Sequence, residues 1–527
     1  MNSYPKSRLI ISLALVWSLT AAAQINPVLL HQYISDHKNI PNSGSNYVSD
    51  IKEFYEGLNY QTAWIQKENK SNCDIFLGFL RQSAGFCLRD SDYQVSFIED
   101  FHRGNIPLQT LEDSLLAEMR ITDAAIHFYR DIAFGNTKPV FAYDGLKYTP
   151  GCQNIPRLLA TYISQNTLQS LIARLSPTFP EINALTNKAK GFLAIMADSN
   201  FKETRILSTN VNAANKPLIQ TLYQLGIIDS AYSTLPVNIL KQKVKEAQRQ
   251  FNLLADGILR STILDELNVP LSARLWQLNL AVNYYRWLNC LVQYRPAIIV
   301  SIPATILRVY QSDTFTLEMR IIVGKKSTPT PTLASTVNEV ILYPYWHVPY
   351  SIATRELLPS IKRNPGFIDA GNYQVLNKAG QIMDPYSINW NALSTKYFPY
   401  LIRQSTGCDN ALGLLKLNFY NPFGVYLHDT PNKSLFTLNK RFFSHGCMRM
   451  EKPMELGHLV LKNNHVAIDT LEQKGCLRNQ YPIIVEADEH MPVIVWYNPV
   501  GIDSTARVVF YDDVYHQFNR PGKLTLQ

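Results

Sequence analysis

Two periodicities divide the chain. From Gln24 to about Asn200 apolar residues recur at three- and four-residue steps. Tyr47–Ile65 (YVSDIKEFYEGLNYQTAWI) and Leu115–Gly135 (LLAEMRITDAAIHFYRDIAFG) each set an apolar stripe against a polar face, as helices on a core do. Gly135 and Pro139 stop the second of these, and Phe79–Tyr93 reads as a helix ending near Gly85. A further helical block, Val237–Leu288, folds back at an Asp256-Gly257 turn. At about Pro296 the pattern becomes β-rich. Ala297–Gly324 predicts a hairpin turning near Ser312-Asp313, and Glu339–Ile352 starts as a strand that breaks at Pro344 and Pro349. Tyr350–Gly407 is aromatic and proline-punctuated with no period, and a stretch that long inside a β domain predicts a lid. Strands resume at Leu414–Tyr420 and Phe423–Asp429. A short helix follows Gly457, and strands return at Tyr481–Ala487, Met491–Tyr497 and Thr505–Tyr515.

Composition changes this picture in three places. A length of 527 residues exceeds one core and predicts about three or four domains. With 46% hydrophobic and 17% charged residues the chain has globular composition. The net charge of +8 is spread without a dense basic run; the nearest, Leu240–Arg249, reads as the solvated face of a helix. That argues against nucleic acid and stays compatible with an anionic extracellular polymer. At the start, Lys6 and Arg8 precede an apolar run, Leu9–Leu19, and Ala21 and Ala23 offer small residues for cleavage before Gln24. These are the parts of a secretory signal, too short to span a bilayer, so an exported chain is expected, with no membrane span later on.

Export gives the seven cysteines weight, because in an oxidising compartment an odd number leaves one thiol unpaired. Cys73 and Cys87 are close enough in sequence to pair. Cys447 stands in Ser444–Met450 (SHGCMRM), 19 residues after His428, with a turn-forming DTPNKS between them. In Phe423–Asp429 the alternation puts Tyr426 and His428 on one face, and an extended SHGCMRM would put His445, Cys447 and Arg449 on one face. Adjacent antiparallel strands would then bring imidazole and thiol together. Nearby imidazolium or arginine would draw the thiol toward a thiolate, and a histidine would relay its proton to a leaving amine. Gly446 allows the backbone angles an oxyanion site needs, and Arg449 supplies fixed charge toward a carboxylate. Two histidines and a cysteine could instead hold zinc, but no fourth ligand stands at a familiar spacing, with Asp429 or His458 the candidates. Residue chemistry alone puts the thiol narrowly ahead of zinc.

The VYLHDTP of Val425–Pro431 followed by SHGCMRM resembles the histidine and SHGC signature of the L,D-transpeptidases, the YkuD-type catalytic domain. Val323–Pro331, Tyr343–Ile352 and Asn410–Pro431 follow the order of the large periplasmic, YcbB-type branch, and the earlier helices are similar to its scaffold. Tyr343 and Thr406 depart from its usual asparagine and proline. The resemblance implies an α+β multidomain chain: signal peptide 1–23, helical scaffold 24–235, peptidoglycan-binding-like helical module 236–290, β-rich catalytic domain 291–475 with a capping lid at 351–410, and C-terminal strands 476–527. It implies Cys447 as nucleophile, His428 as base, and His445, Gly446 and Arg449 completing the catalytic set. Ser444 and Asp429 would support the oxyanion site and the base. Trp346, Tyr426 and Asn410 would contact substrate. No metal and no cofactor are implied. The partners implied are peptidoglycan stem peptides as donor and acceptor, with carbapenems as inhibitors and no nucleic acid. The reaction implied is 3-3 cross-linking in the periplasm or cell envelope; water as acceptor would make a carboxypeptidase, and a protein lysine an anchoring enzyme.

Overall fold

The computed structural model describes residues 25–36, 47–209, 211, 215–230, 234–478 and 480–518. The expected signal segment lies outside them. The described chain forms two compact units.

The first unit is helical. It holds α1 (Pro27–Ser35), α2 (Tyr47–Gly57), α3 (Lys70–Leu80), α4 (Val95–His102), most of α5 (Leu111–Phe134), α6 (Ile155–Ser164) and α7 (Leu171–Leu175). α3 ends at Leu80, earlier than its apolar pattern implies, and a short 3-10 turn at Ser83–Phe86 follows. The organising polar group is Glu118 on α5. It is fully buried, accepts hydrogen bonds from the backbone N–H groups of Ala63, Trp64 and Ile65 and from the Tyr55 hydroxyl, and so ends the chain's wander after α2.

The second unit joins helices to a sheet. α8 (Pro180–Met196), α9 (Lys216–Gln224), α10 (Val237–Gln250), α11 (Ser261–Leu267) and α12 (Leu271–Tyr294) form one layer. Gly257 (φ +81°) makes the expected turn beside Asp256. Gly135 (φ +77°) ends α5 where any side chain would meet the Asn283 carbonyl at 2.5 Å, so only glycine lets the chain pass α12.

The sheet contains β1 (Tyr143–Asp144), β2 (Ala297–Ser301), β3 (Ile306–Gln311), β4 (Thr314–Gly324), β5 (Leu333–Leu342), β10 (Leu415–Phe419), β11 (Leu427–His428), β12 (Phe442–Ser444), β13 (Met448–Met450) and β14 (Ile483–Trp496). Its order is β1-β5-β10-β11-β13-β4-β3-β2-β14, with β12 on β4. β14 returns to pair with β5, so the sheet closes on itself. One core fills it, from Val309, Leu417, Leu427, Met448 and Val495 among others. A second core lies between the sheet's outer residues Ile299, Tyr310 and Trp496 and helices α8 to α12, and it takes in the hairpin of β15 (Val500–Ile502) and β16 (Val508–Phe510). The predicted β2–β4 region does turn at Ser312-Asp313.

The 350–407 segment is ordered into short pieces, not irregular. β6 (Trp346–His347), β7 (Tyr373–Leu376), β8 (Ile382–Met383) and β9 (Leu401–Gln404) form a separate sheet in the order β6-β9-β7-β8. Ile361, Ile368, Val375, Trp390 and Phe398 give it its own core. Its helix runs from Tyr350 to Arg363 as α13 (Tyr350–Ile352), a π-turn at Ala353–Leu357 and α14 (Leu358–Arg363), and α15 (Phe367–Ala370) follows. Pro359 lacks the N–H that an unbroken ladder would need, so the widened turn sits just before it.

The cysteines correct one expectation. Cys73 and Cys87 do not pair. Cys73 lies in the core face of α3 and Cys87 in the core of the second unit, both as free buried thiols. The bridges are Cys152–Cys290 and Cys408–Cys476.

Candidate active site

Three short strands place the candidate site's side chains. β10 runs antiparallel to β11 with Lys416 opposite His428, and β11 runs parallel to β13 with His428 opposite Arg449. The alternation then sends Leu417, Leu427 and Met448 into the core, and Lys416, His428 and Arg449 to the other face. The antiparallel pairing expected for the His428 and Cys447 strands is thus parallel, because the chain crosses through Lys433–Thr437 and β12 before it enters β13.

His428 is 4% exposed. Its Nδ1 lies 2.6 Å from the Asp429 carbonyl oxygen, which only accepts, so Nδ1 carries the proton and Nε2 is left as the basic atom. Burial, reinforced by the charges of Arg449, Lys416 and Lys433, pushes the ring's pKa down to about 3, so it rests neutral. Asp429 is itself held: its carboxylate accepts from the Leu414 N–H at 2.9 Å and from Lys433 Nζ at 2.6 Å, and its N–H donates to the Leu415 carbonyl. Gly413 makes this possible. At φ +62° a side chain there would meet Asp429 Oδ2 at 2.2 Å.

The turn between β12 and β13 carries the thiol. Ser444, 2% exposed, donates from Oγ to the Cys447 carbonyl and accepts from the Gly446 N–H at 3.1 Å. Gly446 has φ +116°, which ends the extended run that the sequence pattern assumed. Thr330 Oγ1 donates to the Gly446 carbonyl at 2.8 Å. The Lys325 N–H and Thr328 Oγ1 donate to the Ser444 carbonyl at 3.0 and 3.2 Å. Tyr515 bridges the same loop, donating to the Gly324 carbonyl and accepting from the Thr330 N–H. Thr330 and Tyr515 fix the turn that carries Cys447, and sequence reasoning missed them, since nothing local ties them to it.

Cys447 is half-buried and free. Its thiol is pushed up from its ordinary pKa by burial, which outweighs hydrogen bonding from Tyr426 and the charges of Lys416 and Arg449. With His428 neutral, no imidazolium charge offsets that burial. The resting thiolate expected from sequence is therefore replaced by a thiol.

Tyr426 is half-buried next to both groups: its ring is 5.7 Å from the His428 ring, and Lys416 Nζ lies 4.1 Å over its face. Lys416 was also missed, although the alternation of Leu414–Tyr420 does place it on the face opposite Leu415 and Leu417. The buried Nε of Arg449 makes no hydrogen bond among the described residues. His445 is exposed, with Nε2 2.8 Å from Glu356 in the π-turn and 3.5 Å from Lys325 Nζ. Trp346 is half-buried on β6, its ring 6.4 Å from Tyr373. Asn410 is fully buried and uses its amide internally: it donates to the Pro344 and Ser405 carbonyls and accepts from the Leu412 N–H. Among the described residues, the histidine and carboxylate groups that converge within ion-binding distance are elsewhere, at His458, His465 and Asp469.

The strands that carry this buried neutral imidazole and the half-buried thiol lie within a stretch that matches a known family. Residues 295–468 match the YkuD L,D-transpeptidase catalytic domain, and residues 49–188 match a scaffold domain. The chain thus carries an L,D-transpeptidase catalytic domain with a scaffold domain before it. A putative L,D-transpeptidase of Haemophilus influenzae is 39% identical over 236 residues, covering 45% of this chain and 47% of that protein. The chain therefore aligns with about half the length of that relative. Among solved structures, an L,D-transpeptidase from Mycobacterium smegmatis is 15% identical with a TM-score of 0.17, covering 38% of this chain and 58% of the other. One from Xylanimonas cellulosilytica is 10% identical with a TM-score of 0.16, covering 56% of this chain and 100% of the other.

Proposed function

We propose that this chain is an exported peptidoglycan L,D-transpeptidase whose nucleophile is Cys447. One observation carries the reading: His428, neutral and committed at Nδ1 to the Asp429 carbonyl, faces outward on the strand paired with the one leading out of Cys447. His428 Nε2 takes the thiol proton as Sγ bonds to the carbonyl carbon between the third stem residue and terminal D-alanine. The tetrahedral oxyanion is held by the Cys447 N–H in a turn fixed by Ser444 and Gly446. As the intermediate collapses, the C–N bond breaks and His428 returns the proton to the departing D-alanine amine, leaving a thioester. The side-chain amine of a second stem then attacks. His428 accepts its proton, the C–S bond breaks, and the thiolate is reprotonated, giving a 3-3 cross-link.

Arg449 and Lys416 supply the positive charge suited to the donor's terminal carboxylate. Tyr426 and Trp346 line its approach, and Asn410 shapes the loop beneath. The 351–410 segment acts as the cap, with His445 and Glu356 its contact to the catalytic turn, and excludes water in favour of the amine. The helical module at 236–290 serves as scaffold, and the mature chain works in the periplasm or cell envelope without a cofactor.

Incubating purified enzyme with stem tetrapeptide and reading products by mass spectrometry tests the acceptor. Cross-linked dimers are expected; trimmed tripeptides alone would make it a carboxypeptidase. Intact mass after carbapenem treatment tests the nucleophile. One stoichiometric adduct, absent in Cys447→Ala, is expected, and an adduct that persists in that variant would refute the assignment.

A further inference from the structure

Behind the catalytic strands, α16 (Pro453–Leu461) and α17 (Val466–Lys474) form a helical hairpin. Its tightest point is Gly457, where a side chain would meet Ile468 at 2.6 Å and Leu415 of β10 at 3.0 Å. The next residue along each helix carries a metal-binding group: His458 follows Gly457, and Asp469 follows Ile468. His465 caps α17 one turn before Asp469, and Glu472 stands one turn after it on the same face.

Three of the groups converge, with Glu472 beside His458. His458 Nε2 is 3.5 Å from Asp469 Oδ1 and 3.7 Å from Glu472 Oε2. His465 Nδ1 is 2.8 Å from Asp469 Oδ2, and the two imidazole rings are 5.8 Å apart. Each of His458, His465 and Asp469 offers a ligand atom within 4.8 Å of the others. Tetrahedral zinc with bonds near 2.0–2.1 Å needs ligand atoms about 3.3 Å apart, so His458, His465 and Asp469 close by about 1.5 Å at most and Glu472 completes the four by a rotamer change. Two imidazoles and two carboxylates suit zinc, and they supply too few oxygens for calcium.

We propose that His458, His465, Asp469 and Glu472 form a structural binding site for a divalent transition metal, zinc foremost, that staples α16 to α17. The contact of Gly457 with Ile468 and Leu415 holds the two helices in place, so the ligands are presented on rigid backbone. His458, which the sequence left as a spare ligand for the Cys447 centre, belongs to this second centre instead. The proposal is independent of the transpeptidase reading.

The test uses the mature chain as Cys447→Ser, which removes the half-buried thiol as a competing ligand, stripped with chelator and titrated with zinc chloride. Calorimetry should give one equivalent bound at micromolar affinity or tighter, with a rise in Tm. His458→Ala and His465→Ala should each weaken binding by about tenfold or more and abolish the Tm rise, while His102→Ala in the first unit leaves both unchanged. Should either ligand variant fold and bind zinc like its parent, or the parent bind none, the site is refuted. His458→Cys, which retains a zinc ligand, separates loss of metal from loss of fold by restoring binding.

Discussion

Burial sets the resting state of both His428 and Cys447. His428 is driven down to about 3 and Cys447 is raised, so the pair waits as thiol and neutral imidazole, not as an ion pair. Two outcomes follow for pH. Alkylation of Cys447 by iodoacetamide should keep rising through pH 9 without a plateau near neutrality; a plateau below about pH 8 would contradict a raised thiol. Stability is linked through His428, whose folded pKa lies below its unfolded value near 6.5. The unfolded chain binds the proton first, so the contribution is intact above about pH 6.5 and is lost as pH falls toward 3. The loss is about 2 kcal/mol by pH 5. Urea denaturation at pH 7.5 and 5 should show that difference in the native chain and lose most of it in His428→Gln. Gly413→Ala should cost about 1–3 kcal/mol and much of the activity, because the new methyl displaces Asp429 and with it the carbonyl that holds His428. His428, Asp429 and Cys447 were legible as a motif. Their protonation was not, because it depends on burial by residues distant in sequence.

At the scale of elements, long helices and strands were legible because their periods run for several turns, as in α5, α12 and β4. The 350–407 pieces were not. Strands of two to four residues and a helix interrupted by a π-turn are too short to show a period. Tyr343 shows how such a segment is tied down. It stands where the family's usual asparagine would tolerate positive φ, and it adopts φ +51° with its hydroxyl donating to the Gly475 carbonyl at 2.8 Å. The next residue, Cys476, is bridged to Cys408, and Thr406 exchanges hydrogen bonds with Gln480. The base of the segment is thereby anchored to the chain that leads from α17 into β14. Replacing both Cys408 and Cys476 by serine should lower stability by about 2–4 kcal/mol. Glutathione should act on the native chain in the same direction. Unchanged denaturation midpoints would mean that the hydrogen bonds alone hold the anchor.

At the largest scale, the second unit depends on an ion cluster linking its helical layer to its closed sheet. The strand pattern showed β3 and β4 but not this, since Glu181 and Ile502 lie more than 100 residues from Arg308. Arg308 on β3, 7% exposed, donates to Glu181 on α8 at 2.9 Å, to Glu318 on β4 at 2.7 Å and to the Ile502 carbonyl of β15 at 2.8 Å. Tyr310 also donates to Glu181, which is fully buried. Removing the guanidinium strands a carboxylate away from water, and that penalty exceeds what the pair contributes net. Arg308→Met should therefore destabilise by about 3–5 kcal/mol, while adding Glu181→Leu should recover much of the loss. Equilibrium unfolding of both variants decides it. A single variant as stable as the native chain, or a double variant no better than the single, would show that the helical layer is held by apolar contact alone.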